Sequence, residues 1–113
     1  MGRVKRIIYA ETSWLIGDAA ADTVLEYAVE LARHDSAAAI DLVVLDAAGA
    51  EQTVRFLIGP ATMMMAESTG SAFPEPDNSV AVADMRERVE AMVHPPNAAA
   101  SRERESMDYF GDL

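Results

Sequence analysis

Cysteine is absent from this 113-residue sequence, and lysine occurs only once, at Lys5. Without thiols the chain can form no disulfide, zinc-thiolate site or cysteine nucleophile. The nucleotide-binding patterns G-x-G-x-x-G and G-x-x-x-x-G-K-[ST] do not occur either. These absences exclude thiol chemistry and the two most recognisable phosphate-binding loops.

Long apolar runs are also lacking. None approaches the roughly 18 residues that a membrane-spanning helix needs. The sequence starts with a basic stretch, as an export signal does, but Glu11 interrupts the apolar residues that follow. We therefore expect a cytoplasmic protein that does not bind membranes.

Histidine is scarce, with only His34 and His94. Both fall at the ends of predicted helices, where an imidazole can bond to terminal carbonyls. Neither belongs to a recognisable nucleophile or acid–base pattern. With 19 carboxylates, some acids must lie close together, so paired acids carry no catalytic signal. We therefore expect no enzymatic activity, no cofactor and no metal.

Acidic residues outnumber basic ones, 19 against 9, which gives a net charge of −10. The first ten residues are the exception, because they carry Arg3, Lys5 and Arg6 and no acid. A negative surface repels phosphate backbones and anionic lipids. We therefore expect no nucleic-acid partner, and the charge favours a basic protein.

The first half of the chain predicts a strand and a helix. Residues 3–9 are rich in β-branched and aromatic residues and are interpreted as a strand. The residues AETSWLIGD are interpreted as a linker, with Asp18 as the helix N-cap. In the run that begins at Asp18, apolar residues recur with helical spacing and form one stripe: Ala21, Val24, Leu25, Ala28, Leu31 and Ala32.

The run AIDLVVLDAAGAEQTVRFLIG predicts a β-hairpin with a three-residue loop, in which Gly49 adopts the left-handed conformation. The loop fixes the register, which puts an acid opposite a base on one face. The predicted pairs are Leu42 with Val54, Ile40 with Phe56, and Asp41 with Arg55.

The remaining chain predicts a loop, a helix and a tail. Gly59-Pro60 ends the hairpin, since proline has no N–H for a strand ladder. Residues 67–78 are rich in Gly, Pro and Ser and predict a loop. Helical spacing returns over residues 79–93. Candidate caps for this helix are Asp77, Asn78 and Ser79.

The element order β-α-β-β-α indicates an α+β fold. We expect a small mixed three-stranded sheet, with the first strand parallel to the second and the first helix on one face. This single domain is predicted to cover residues 1–94, and residues 95–113 are predicted to be a flexible C-terminal tail.

One face of the hairpin is only half polar, because it carries Val43, Leu45 and Leu57. Such a face is usually covered. The second helix is one candidate for the covering element, and a second copy of the chain is another.

Met63, Met64 and Met65 follow the chain break at Gly59-Pro60. In a strand, two of them share a face and the third points away, whereas in a helical turn they cover a broad arc. Flexible thioethers either fill gaps in a core or re-pack around partners, so these residues are candidate interface residues. Trp14 is interpreted as a lid over the core or as a contact for a ligand or partner.

The C-terminal residues SMDYFGDL place three apolar side chains among acids: Met107, Tyr109 and Phe110. Docking back onto the domain and plain disorder are two interpretations. A short docking motif that folds on a partner is the third.

The residues from GDAAADTVLEYAVELA through the hairpin to FLIGPA make the chain similar to short uncharacterised actinobacterial proteins with no assigned activity. The resemblance covers roughly residues 4–66 at the level of pattern. It implies a self-contained domain and carries over no activity and no site residues.

Three functional hypotheses follow. The first is a non-catalytic protein-interaction module, self-associating as a homodimer. The second is a small acidic inhibitor, of the immunity or antitoxin kind, which neutralises a basic protein. The third is a small-ligand binder or enzyme with a site near Trp14.

Overall fold

Five antiparallel strands and two helices form an α+β fold in the computed structural model, which describes residues 3–95. The strand order in the sheet is β4-β3-β2-β1-β5. The elements are β1 (Val4–Tyr9), β2 (Thr12–Gly17), α1 (Asp18–Arg33), β3 (Ala38–Leu45), β4 (Glu51–Ile58), β5 (Met64–Ser68) and α2 (Ser79–Val93).

The predicted linker around Trp14 is a strand. β2 pairs with β1 as a hairpin, with Trp14 opposite Ile7. Its side chains alternate, so Trp14 and Ile16 face the core while Ser13 and Leu15 face the other way. The tight turn before β2 places Ala10 at φ 57, where glycine or asparagine is usual. The missing turn signal explains why the sequence was interpreted as a linker.

The prediction of a mixed three-stranded sheet is wrong in two respects. β2 lies between β1 and β3, so these two strands share a direction without pairing, and every neighbouring pair is antiparallel. The second error concerns the methionine segment, which forms β5 and pairs with β1. β5 is a short strand, and its partner in the sheet lies near the start of the chain.

The hairpin prediction is confirmed. β3 and β4 pair in the predicted register, including the pair Asp41–Arg55. Gly49 has φ 87, the left-handed value that the loop requires. Asp46 closes the loop by accepting main-chain N–H bonds from Ala48 and Ala50, both at 2.9 Å.

Both helix predictions are confirmed, but the predicted Asp18 cap is not. No side-chain cap bond starts α1. The Asp18 carboxylate instead lies 3.0 Å from the Lys5 ammonium, which also contacts Asp22 at 2.7 Å. At α2 the Ser79 N–H bonds to the Asp77 carboxylate at 2.9 Å. Asn78 makes no cap bond.

The sheet curls so that its first and fourth strands meet. The Tyr9 hydroxyl on β1 donates to the main-chain carbonyl of Leu57 on β4. Phe56 lies between two aromatic rings, with centroids 5.5 Å from Tyr9 and 5.3 Å from Trp14. The core fills the inner face, where α1 contributes Ala20, Ala21, Val24, Tyr27 and Leu31.

The short connection between β4 and β5 also requires this curl. In a flat five-stranded sheet the two outermost strands lie about 19 Å apart. Residues 59–63 join them here, and they include a turn closed by the Thr62 N–H and the Gly59 carbonyl at 3.0 Å. A connection that short, with a turn in it, reaches between the two edges because the sheet is strongly curved.

Phe56→Ala is expected to lower the free energy of unfolding by about 3–5 kcal/mol. Phe56 is 2% exposed and, from β4, contacts Tyr9 on β1 and Trp14 on β2 across the curled sheet. The matched control is Leu57→Ala at the next residue, which is 63% exposed and should lose less than about 1 kcal/mol. Urea denaturation measures both, and similar losses in the two variants would contradict the curled arrangement.

Candidate functional site

The sheet has a gap in its interior. β2 pairs with β3 only at Leu15–Leu45, whereas β3 begins at Ala38. In an antiparallel ladder, successive residues direct their main-chain groups to opposite sides. On β3, Ala39, Asp41 and Val43 therefore direct theirs away from β4, into the space that β2 leaves. Within residues 3–95 no strand pairs with this stretch of β3 on that side.

The side chain of Asn78 fills the first position in this gap. The Val43 N–H donates to Asn78 Oδ1 at 2.8 Å, and Asn78 Nδ2 donates to the Val43 carbonyl at 2.8 Å. These are the two bonds that a residue of a neighbouring strand would make. Asn78 is 8% exposed, so its carboxamide is a buried substitute for a peptide group.

Beyond Asn78 the edge of β3 opens into a groove of about 560 Å³ between β3 and the start of α2. Its apolar part is formed by Ile40, Ala81 and Met85, with Val80 at the rim. Met85 is 1% exposed, whereas Val80 is 83% exposed. The polar lining residues are Asp41, Thr53, Asp77, Asn78, Ser79 and Asp84.

Three carboxylates give this groove an acidic rim. Asp41 forms a two-pronged pair with Arg55, at 2.7 and 3.1 Å, and Asp84 pairs with Arg88 at 3.0 Å. Hydrogen bonds from Arg55 hold the pKa of the Asp41 carboxyl below its usual value. The hydrogen bond from the Ser79 N–H likewise lowers the pKa of Asp77. Asp41 and Asp77 are therefore ionised at neutral pH.

The segment 69–78 positions the groove. It follows β5 and crosses the outer face of the sheet, where the Thr69 hydroxyl donates to the Val4 carbonyl at 2.9 Å. Phe73 packs so closely against Gly49 that a Cβ atom added to this glycine would lie 2.8 Å from the phenyl ring. Glu75 lies close to Gly17 in the same way. This segment delivers Asn78 to Val43, and α2 starts at the next residue.

The three apolar residues of the half-polar sheet face differ in exposure. Leu45 is 3% exposed and therefore unavailable to a partner, and it lines the same cavity as Phe73. Val43 is partly buried beside Asn78. Leu57 alone of the three predicted residues stays largely exposed, at 63%.

The three methionines separate as a strand requires. Met64 packs against the core, whereas Met65 points to the outer face and is 52% exposed. Met63 precedes β5 and is 80% exposed. The segment therefore fills the core with one side chain and presents two at the surface.

Trp14 is partly buried and packs against the core. Its ring meets Phe56 edge-on at 86°. Trp14 also lines a cavity of about 420 Å³ with the outward-facing Arg6, Ser13 and Leu15 and with Phe73. The predicted docking residues Met107, Tyr109 and Phe110 lie outside the described residues.

The histidines occupy helix ends, as predicted. His34 Nδ1 lies 2.8 Å from the Glu30 carbonyl, and the His94 main-chain N–H bonds to the Glu90 carbonyl at 2.7 Å. In the part of the chain that the structure describes, no three acidic or histidine side chains are grouped to hold a metal ion. Neither helix there is long and apolar enough to cross a membrane.

Sequence reasoning identified Asn78 only as a candidate helix cap. Its bonding partner, Val43, lies 35 positions earlier, and no local pattern indicates such a contact. The one available signal was its place between a proline-rich loop and a helix, and that signal fits a cap equally well.

No family model matches the chain, and no curated protein and no solved structure is similar to it. The geometry of the described residues is therefore the basis for the functional proposals. The resemblance to actinobacterial proteins stays a prediction.

Asn78→Asp is expected to destabilise the fold by at least as much as Asn78→Ala, for which about 1–3 kcal/mol is expected. Alanine removes both bonds to Val43, whereas a carboxylate keeps the acceptor for the Val43 N–H but places its second oxygen against the Val43 carbonyl. Protonating the new carboxyl removes that repulsion, so its pKa in the folded state is raised. The loss of stability that the new carboxylate causes should therefore be absent at about pH 3 and appear as the pH rises.

Chemical denaturation at several pH values measures these losses against the wild type. The control is Asp77→Asn, which keeps a side-chain acceptor for the Ser79 N–H and leaves the Val43 bonds intact. Wild-type stability of both Asn78 variants would contradict the role assigned to this side chain.

Arg55→Gln is expected to raise the pKa of Asp41 toward its ordinary value, because it removes the guanidinium that stabilises the carboxylate. In the wild type, the pKa of Asp41 is lower in the folded state than in the unfolded state. Its pair with Arg55 therefore stabilises the fold above about pH 4 and is lost as the pH falls through the folded-state pKa. Carboxyl NMR titration measures the shift, and Arg86→Gln, at a residue outside the groove lining, should leave it unchanged.

Proposed function

We propose that this chain is a non-catalytic protein-interaction module whose docking site is the groove between β3 and the start of α2. The observation that carries the proposal is the main-chain edge of β3 at Ala39 and Asp41, which pairs with no strand within residues 3–95 and lies beside a concave apolar surface. Unpaired strand edges pair readily with other chains, and proteins usually cover or blunt them. An edge left accessible inside a groove favours a binding role.

The composition of the groove supports the same proposal. Its volume of about 560 Å³ suits a few side chains of a partner. Ile40 and Met85 supply buried apolar area, and the highly exposed Val80 stands at the rim. Surfaces of this kind, with an apolar centre and a polar rim, are typical of protein interfaces.

A photo-crosslinking residue, p-benzoylphenylalanine, tests the proposal when it replaces Val80. We expect discrete adducts with a protein partner in the native host. The matched control places the same residue at Val29, which is 51% exposed on α1 and does not line the groove. Equal adducts at both positions, or none at position 80, would count against the groove as the docking site.

Inhibition of a basic protein is a second candidate function within this class. It is favoured by the net charge of −10 and by the three carboxylates at the groove. A small-ligand site at Trp14 has less support, because its indole packs against Phe56 within the core.

Self-association is supported by a different surface. Leu57 and Met63 lie at the end of the sheet where β4 meets β1, since the Ala10 N–H bonds to the Met63 carbonyl at 3.3 Å and Tyr9 bonds to Leu57. Met65 pairs with Ile8 on the outer face. The surface thus exposes three large apolar side chains, Leu57 on β4, Met63 just before β5 and Met65 on β5.

Replacing Met63 and Met65 together by serine is expected to weaken a homodimer at least about tenfold, which corresponds to about 1.4 kcal/mol. Burial of the two thioethers in the interface supplies the lost energy. Sedimentation equilibrium of the full chain measures the association, with Val29→Ser as the control. A wild-type chain that stays monomeric at high concentration would rule out this surface as a dimer interface.

A further inference from the structure

The open edge of β3 specifies how a partner docks, as well as where. We infer that the groove binds an extended peptide segment of a basic protein, which adds to β3 as a strand with apolar and Lys or Arg side chains in alternation. This inference rests on the proposed function and deepens it, because it names the binding mode and the chemistry of the partner.

The main-chain argument starts from Asn78. Its carboxamide makes both strand-type bonds to Val43 at 2.8 Å, so this edge of β3 already has the geometry that accepts a neighbouring peptide group. The next main-chain positions on the same side belong to Asp41 and Ala39. A bound segment would lie in line with β2, beyond Asn78, and would pair with these two residues.

The side-chain argument follows from alternation along a strand. Every second side chain of the added strand points inward, toward Ile40, Ala81 and Met85, where only apolar groups avoid a desolvation penalty. The other side chains point outward, beside Asp41 and Asp77. The two faces therefore select for an apolar and a basic set of side chains.

The charge argument favours a basic segment over an acidic one. Asp41 and Asp84 each have an arginine partner, but no arginine or lysine pairs with Asp77 among the described residues. The chain as a whole carries a net charge of −10. Lys or Arg side chains are therefore attracted to the rim, and acidic side chains are repelled.

The test titrates the full-length, ¹⁵N-labelled protein with the capped peptide acetyl-Val-Lys-Val-Arg-Val-amide. We expect the amide signals of Ala39 and Asp41 to shift and to become protected from hydrogen exchange. Binding should weaken as salt is added, because charge contributes to it.

Two matched peptides separate the contribution of main-chain hydrogen bonds from that of charge. The first carries N-methyl groups on alternate main-chain nitrogens, which removes the N–H donors and keeps the side chains. The second has Glu in place of Lys and Arg. Each is expected to bind at least about tenfold more weakly than the parent peptide.

Two protein variants give the reciprocal test. Ala39→Pro removes the main-chain N–H at the open edge, a position where proline is tolerated in a strand. Ala39→Thr retains that N–H and serves as its control. If the proline variant does not fold, Asp77→Asn tests the same groove, and it should weaken the basic peptide while leaving the Glu peptide less affected.

The outcomes distinguish the inference from the proposed function. Equal binding of the N-methylated peptide would overturn strand addition, as would shifts at the outer edges of β4 or β5 in place of Ala39 and Asp41. An absence of shifts at about 1 mM peptide would overturn the inference as well. Crosslinking at position 80 would still support the proposed function in each of these cases.

Hydrogen exchange also shows whether the chain itself occupies the open edge of β3. Protection of the Ala39 and Asp41 amides in the peptide-free protein, independent of concentration, would mean that another part of the same chain occupies the edge. Protection that rises with concentration would mean that a second copy does. Either result would overturn the inference of a basic partner.

Discussion

The two hydrogen bonds between the Asn78 carboxamide and the Val43 main chain hold the separate parts of the structure together. They close the first position of the gap between β2 and β3, and they fix the residue before α2. From there α2 runs beside α1, where Met85 enters the core and Arg88 reaches the Tyr27 hydroxyl at 3.4 Å. A helix that starts inside a split sheet leaves a concave space next to it, and this space is the groove.

Local chemistry was enough to predict the β3–β4 hairpin and both helices. Gly49 set the loop, and the opposite charges of Asp41 and Arg55 agreed with the apolar pairs on the register. β2 was missed because Ala10 takes the left-handed turn position without the usual turn residue. The groove was beyond prediction, since it depends on Asn78 meeting a strand that no local pattern connects with it.

Curvature determines which apolar residues this protein can present to others. A flat sheet would leave one whole face open, whereas here the inner face is filled by helices and by Phe56 with its two aromatic neighbours. On the outer face, Leu45 is buried and lines a cavity together with Phe73 of the segment 69–78. Of the large apolar side chains that remain exposed, Val80 lies at the groove, and Leu57, Met63 and Met65 lie on β4, just before β5 and on β5, respectively.

β1 is an inner strand of the sheet, although one of its partners, β5, is the last strand within residues 3–95. The pairing of Ile7 with Ala66 joins distant parts of the sequence, and contacts of this kind form slowly because a long loop must first close. The β1–β2 hairpin, by contrast, joins near neighbours. During synthesis on the ribosome, β1 therefore has one unpaired edge until residues 64–68 emerge, and this edge is a starting point for association between nascent chains.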